Sequence, residues 1–145
     1  MIARRVASAF VLLLVVACGR GLPEYPIVAA EDGFVRIPLT SVSDGRVHFF
    51  SVMSGGKRVN FLVRTDAESH LHTHLDACYA CYRYRRGFFV EGEEIVCDAC
   101  RYRYSLAKHE WELLGACAPI DLPSIIRGDE LLIRARSLRR AERYF

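Results

Sequence analysis

Two Cys-x-x-Cys pairs, Cys78/Cys81 and Cys97/Cys100, stand fifteen residues apart in this chain, and a fifth cysteine, Cys117, follows after sixteen more. Each pair can form a tight knuckle that points two sulfurs at one centre, so this spacing constrains the fold around a shared metal-binding point. The two knuckles resemble each other: Cys78-Tyr-Ala-Cys81-Tyr-Arg-Tyr-Arg and Cys97-Asp-Ala-Cys100-Arg-Tyr-Arg-Tyr read as two copies of one unit. Neither is followed by His, which excludes covalent c-type haem attachment. Disulfides are the competing reading in an exported protein, but bonds inside each pair would close very small loops, and five thiols leave one over. Thioredoxin-like chemistry would need a Cys-x-x-Cys opening a helix in a βαβ setting, a pattern this chain lacks.

The export signal is at the front. Met1-Ile-Ala-Arg-Arg precedes an apolar run from Val6 to Ala17, the order of a signal peptide over residues 1–17 and shorter than the roughly 18–20 apolar residues that span a bilayer. Val15-Val16-Ala17-Cys18 resembles a bacterial lipobox, which predicts lipidation of Cys18 and a periplasm-facing lipoprotein of the bacterial cell envelope held to the membrane by its acyl chains. Residues 18–32 read as lipidated Cys plus flexible tether, 33–138 as the metal-binding domain and 139–145 as a basic tail. Without the signal peptide the side chains carry 18 basic against 17 acidic groups, a balance that argues against nucleic acid as a partner.

From Phe34 onward short alternating runs are separated by turn signals. Phe34–Leu39, Val47–Met53, Val59–Val63, His70–Asp76 and Glu130–Ala135 read as strands, and Ser137–Phe145 as a short basic helix. The expectation is a mainly β fold, a small sandwich or barrel with a two-knuckle metal-binding subdomain.

Four thiolates, Cys78, Cys81, Cys97 and Cys100, suit an iron–sulfur cluster, a mononuclear iron or a zinc ion, and spacing alone does not choose. Cys117 is an additional thiol whose role stays open: a substitute ligand, half of a labile disulfide or a packed thiol. Arg83, Arg85, Arg86, Arg101 and Arg103 lie within five residues of these cysteines. They are candidates for tuning a cluster or docking an acidic redox partner, or else a solvated arginine face. His70-Leu-His72-Thr-His74 places three imidazoles on one face of a strand, a pattern suited to a divalent metal; the plain alternative is three surface histidines on an edge strand. No Ser/His/Asp order, phosphate-binding glycine loop or recognisable carboxylate pair suggests a catalyst of small-molecule chemistry.

The series Phe34-Val-Arg-Ile-Pro-Leu39, Leu75-Asp-Ala-Cys78-Tyr-Ala-Cys81, Arg86-Gly-Phe88, Ile95-Val-Cys97-Asp-Ala-Cys100, Tyr104, Gly115–Leu122 and Gly128–Ile133 resembles the FtrD-like iron–sulfur membrane proteins found beside bacterial ferrous-iron transport components. The resemblance implies an iron–sulfur protein with the cysteine pairs as ligands, acting in electron transfer or periplasmic iron handling, with a redox partner or an iron permease component beside it. Ala118 stands where that pattern leads one to expect Asn. A more distant resemblance to Rieske domains, in the order of knuckles, loop and final strand, implies a Rieske-like architecture with all-thiolate ligands in place of two Cys and two His.

Overall fold

The computed structural model describes residues 23–111 and 117–145. The expected signal peptide, Cys18 and the front of the expected tether lie outside them, as do residues 112–116. The fold is mostly β, as expected, with three antiparallel sheets.

The first sheet joins β1 (Ala30–Glu31), β2 (Phe34–Pro38), β11 (Glu130–Arg134) and β10 (Ser124–Arg127). Val35 and Ile37 alternate with exposed Arg36 in β2, and pair across the ladder with Ile133 and Leu131. Period-2 burial therefore gives the sheet one apolar face. The second sheet runs β3 (His48–Ser54), β4 (Lys57–Thr65), β5 (Leu71–Cys78) and β9 (Pro119–Asp121). β3 and β4 close on Gly55-Gly56, both at positive φ, as a two-residue turn matched to strand twist requires.

β4 is buried on both faces. Val59, Phe61 and Val63 enter the main core with Val35, Ile37, Leu131 and Ile133, whereas Leu62 enters a second core formed with the cysteines. That second core is capped by the third sheet, β6 (Phe88–Glu91), β7 (Glu94–Cys97) and β8 (Arg103–Ser105).

Two segments depart from the sequence expectation. Of residues 23–32, expected as tether, Ala30–Glu31 pair with β2 and Tyr25–Val28 pack along β3: Ser51 N–H donates to Pro26 O and Ser51 O receives the Val28 N–H, both at 2.8 Å, and Tyr25 stacks on Phe49. This covers the open edge of the second sheet, the kind of edge that proteins protect, and the folded part begins by Pro23. At the other end α1 (Ala135–Ala141) and a 3-10 turn (Glu142–Tyr144) form the expected short helix. Leu138, Ala141 and Phe145 point inward at helical spacing and belong to the main core. Residues 139–145 are thus part of the domain. Lys57 Nζ reinforces this by donating to the Glu142 and Phe145 carbonyls.

Candidate metal centre

β5 delivers Cys78 at its last position, after a register shift that frees the strand from β9 between Leu75 and Cys78. The chain then folds tightly: Cys81 N–H donates to Cys78 O at 3.1 Å and Tyr84 N–H to Cys81 O at 2.9 Å. β7 delivers Cys97 in the same way, and Arg101 N–H closes the second knuckle on Cys97 O at 2.9 Å. The knuckles are tied to each other and to the Cys117 segment through backbone. Asp98 N–H donates to Gly87 O, and Tyr79 N–H to Ala118 O. Ala118 thus contributes through its peptide group, a role that does not call on the Asn side chain expected there.

These ties gather all five cysteines into one place. The sulfurs of Cys78, Cys81, Cys100 and Cys117 lie within 4.8 Å of one another. Cys97 adjoins them, its thiol hydrogen-bonded to Cys78 and Cys100. Cys117, open in the sequence, is therefore a member of the cluster, and all five thiols are free. Cys78, Cys81 and Cys97 are buried among Leu62, Phe88, Ile95 and Tyr104, and Cys100 and Cys117 are half-buried.

Hydrogen bonding sorts the thiols. The Cys97 thiol donates to Cys78 and pulls it down to about 5 against the opposing effect of burial, with help from the Ala80, Cys81 and Ala118 N–H groups. The same bond holds Cys97 protonated. Burial pushes Cys81 up to about 11 and Cys117 to about 12. Cys78 is thus a ready thiolate, and Cys81 and Cys117 give up protons to a metal when it binds. The donor set fits a metal: bonds of about 2.3 Å place tetrahedral sulfur ligands about 3.8 Å apart, within reach of this grouping. Tyr104 closes the site, donating its hydroxyl to Cys117 O at 2.6 Å.

Beside this centre Asp76, two residues before Cys78, is 1% exposed and accepts the Phe88 N–H at 2.6 Å. Burial raises its carboxyl to about 7. Gly87, at positive φ, lies so close that a Cβ there would come within 2.7 Å of Asp76 Cγ.

The arginines divide. Arg103 pairs with Glu91 and Glu94, and Arg101 with Asp98 while lying over Phe89. Arg83, Arg85 and Arg86 are exposed beside the first knuckle, with no ion pair among the described residues.

His70 is exposed and stands before β5, but His72 and His74 are not surface residues on an edge strand. β5 is interior, between β4 and β9, His72 is partly buried and His74 is 6% exposed. His74 stacks on Trp111 at 4.5 Å and sets Nδ1 3.0 Å from Asp121 Oδ1. Burial holds both His72 and His74 below the ordinary imidazole range. His70 and His72 converge on Asp66, where they meet His109. Asp66 and His109 were missed in the sequence: Asp66 lies between two strand-like runs, and His109 arrives from a loop with no motif around it.

A family model described as "Membrane iron-sulfur containing protein FtrD-like" matches residues 42–145, a span that holds both knuckles and Cys117. No curated protein matches the chain.

Proposed function

The chain belongs to the FtrD-like family of membrane iron–sulfur proteins, and from that premise we propose that it is a lipid-anchored, periplasm-facing carrier of single electrons that serves ferrous-iron handling. The observation that carries this reading is the convergence of five free thiols, four of them within 4.8 Å of one another, in a buried apolar setting. No helix among the described residues is long and apolar enough to cross a membrane, which fits attachment through Cys18.

A bound iron–sulfur group supplies reversible one-electron chemistry with little geometric change. The protein's part is to hold and bias it. Cys78, Cys81, Cys100 and Cys117 are the thiols placed to ligate together, and Cys97 is placed to donate a hydrogen bond to a ligand sulfur or to replace one. Backbone N–H groups of Ala80, Cys81 and Ala118 point at Cys78, stabilising negative charge on sulfur and favouring the reduced form. Leu62, Phe88 and Ile95 exclude water from one side. The exposed Arg83, Arg85 and Arg86 present positive charge next to the first knuckle, a docking face for an acidic redox partner or permease component.

The test is the absorption spectrum of the full-length protein, purified anaerobically in detergent from iron-supplied cells. Thiolate-ligated iron absorbs between about 320 and 600 nm and bleaches with dithionite, and acid-labile sulfide marks a cluster. Cys117→Ser is expected to lose most of this absorbance. A colourless protein containing zinc would overturn the electron-transfer reading in favour of a zinc-held binding module.

A further inference from the structure

A second group of ligating side chains lies apart from the thiols. Asp66 follows β4, and its carboxylate is 1% exposed. Its two oxygens do different work. Oδ1 accepts the backbone N–H groups of Glu68 and His70, both at 2.9 Å, which fixes the carboxylate in place. Oδ2 faces three imidazoles: His109 Nδ1 at 2.7 Å, His72 Nε2 at 2.9 Å and His70 Nδ1 at 3.3 Å.

One carboxylate oxygen needs no three imidazoles to be satisfied; two donors fill its lone pairs. The rings also stand as ligands around a point, His109 edge-on to His70 and to His72 at 5.1 and 4.7 Å. Asp66, His72 and His109 each offer a ligand atom within 4.8 Å of the others. His72 and His109 line an open cleft with His74, Trp111 and Asp121, so an ion has a route in and room for water ligands.

The loop that carries His109 is held by a buried device. Arg64, 1% exposed, donates to the carbonyls of Leu106 (3.2 Å), Lys108 (2.7 Å) and His109 (2.9 Å). Ala67 N–H adds a bond to Ala107 O. A buried guanidinium is costly unless its donors are used, and here three of its bonds position one loop against the Asp66 turn.

We propose that Asp66, His72 and His109, with His70 within reach of the same oxygen, form a second metal site that takes a first-row divalent transition ion. Two imidazoles and one carboxylate with open positions form a donor set suited to Fe(II) and its neighbours, and unlike the all-oxygen sets of Mg(II) and Ca(II). The proposal stands on this geometry and not on the identity of the thiolate centre.

The test uses the full-length protein in detergent, with its thiolate centre as isolated, dialysed anaerobically against Co(II). Cobalt per chain is counted and its visible spectrum recorded, with iron and sulfide measured on the same sample. About one cobalt is expected, in an N/O field without thiolate-to-cobalt charge transfer. His109→Ala keeps the backbone carbonyl that Arg64 holds, and Asp66→Asn keeps the Oδ1 acceptor. Each is expected to weaken cobalt binding by at least the about 10–100-fold that losing an outer partner of a metal ligand costs. Equal binding in the wild type and both variants, no cobalt uptake, or cobalt found only with thiolate charge transfer would each overturn the proposal. The iron and sulfide content reports separately on the electron-carrier reading.

Discussion

Asp76→Asn is the perturbation whose outcome follows most directly from burial. The Asp76 carboxyl, ordinarily near 3.8, is raised to about 7 because burial removes it from water, an effect larger than the opposing hydrogen bonds from the Phe88 N–H and the Tyr25 hydroxyl. A folded-state pKa above the unfolded value means that the native state binds the proton more tightly. Stability from this group is therefore full below about pH 4 and is lost as pH rises through about 7, at about 1.4 kcal/mol per pH unit. The total is about 4 kcal/mol, of which about 2–3 kcal/mol falls between pH 5 and 7. Asparagine keeps the acceptor for Phe88 and removes the titration. Tyr25, the titratable neighbour of Asp76, is held by burial well above its ordinary range and stays neutral throughout. Urea unfolding of both proteins from pH 5 to 8, with the thiolate centre in the same state, gives the difference curve, in which titrations common to both cancel. The variant is expected to gain on the wild type by that amount as pH rises, with a plateau above about pH 8. Parallel curves would show that the carboxylate is ionised in the native state and would refute the reasoning.

Gly87→Ala places a Cβ within 2.7 Å of Asp76 Cγ at a backbone φ of +67°, and is expected to cost about 2 kcal/mol or more in urea unfolding. Phe145→Ala empties a site in the main core, where Phe145 is 4% exposed. A loss of about 3 kcal/mol is expected by the same measurement, whereas a loss under about 0.5 kcal/mol, the range of surface substitutions, would show the C-terminus to be a dispensable tail.

What was legible in the sequence is what local chemistry determines. Val35 and Ile37 alternate with Arg36 because one face of their sheet is dry, and Gly55-Gly56 stands between two strand-like runs, which is the setting that makes it a hairpin turn. The knuckles were legible because a Cys-x-x-Cys needs only its own backbone to fold. Cys117 was not, since nothing near it in sequence aims it at the other thiols; its place comes from the Tyr79–Ala118 backbone bond. His109 depends on Arg64, forty-five residues away, whose burial in a strand next to Leu62 and Val63 has no sequence signature. Residues 23–32 misled for the opposite reason. Two prolines, following Gly19 and Gly21, suggest a tether, but Pro26-Ile27-Val28 lies along β3, and an extended apolar segment next to an open sheet edge is bound by it.

The two candidate sites share a scaffold. His72, at the Asp66 end, and Cys78, at the thiol end, are six residues apart on β5, a rise of about 20 Å. That is too far for shared ligands, and the donor sets differ in kind: imidazole and carboxylate at one end, thiolate at the other. Aromatic rings fill the space between. His72 stacks on His74 at 6.4 Å, His74 on Trp111 at 4.5 Å, and Trp111 meets Tyr104 at 5.5 Å, whose hydroxyl reaches Cys117 O. Trp111 is fixed by its Nε1 bond to Ser105 O and by the Arg64 guanidinium 4.0 Å from its ring centre. Burial lowers that guanidinium only to about 10, so it is charged at neutral pH. One buried cation therefore positions both His109 and the ring at the middle of the stack. The geometry of the histidine cluster and the packing against the thiolate centre are coupled through Arg64, without any contact between the two sets of ligands.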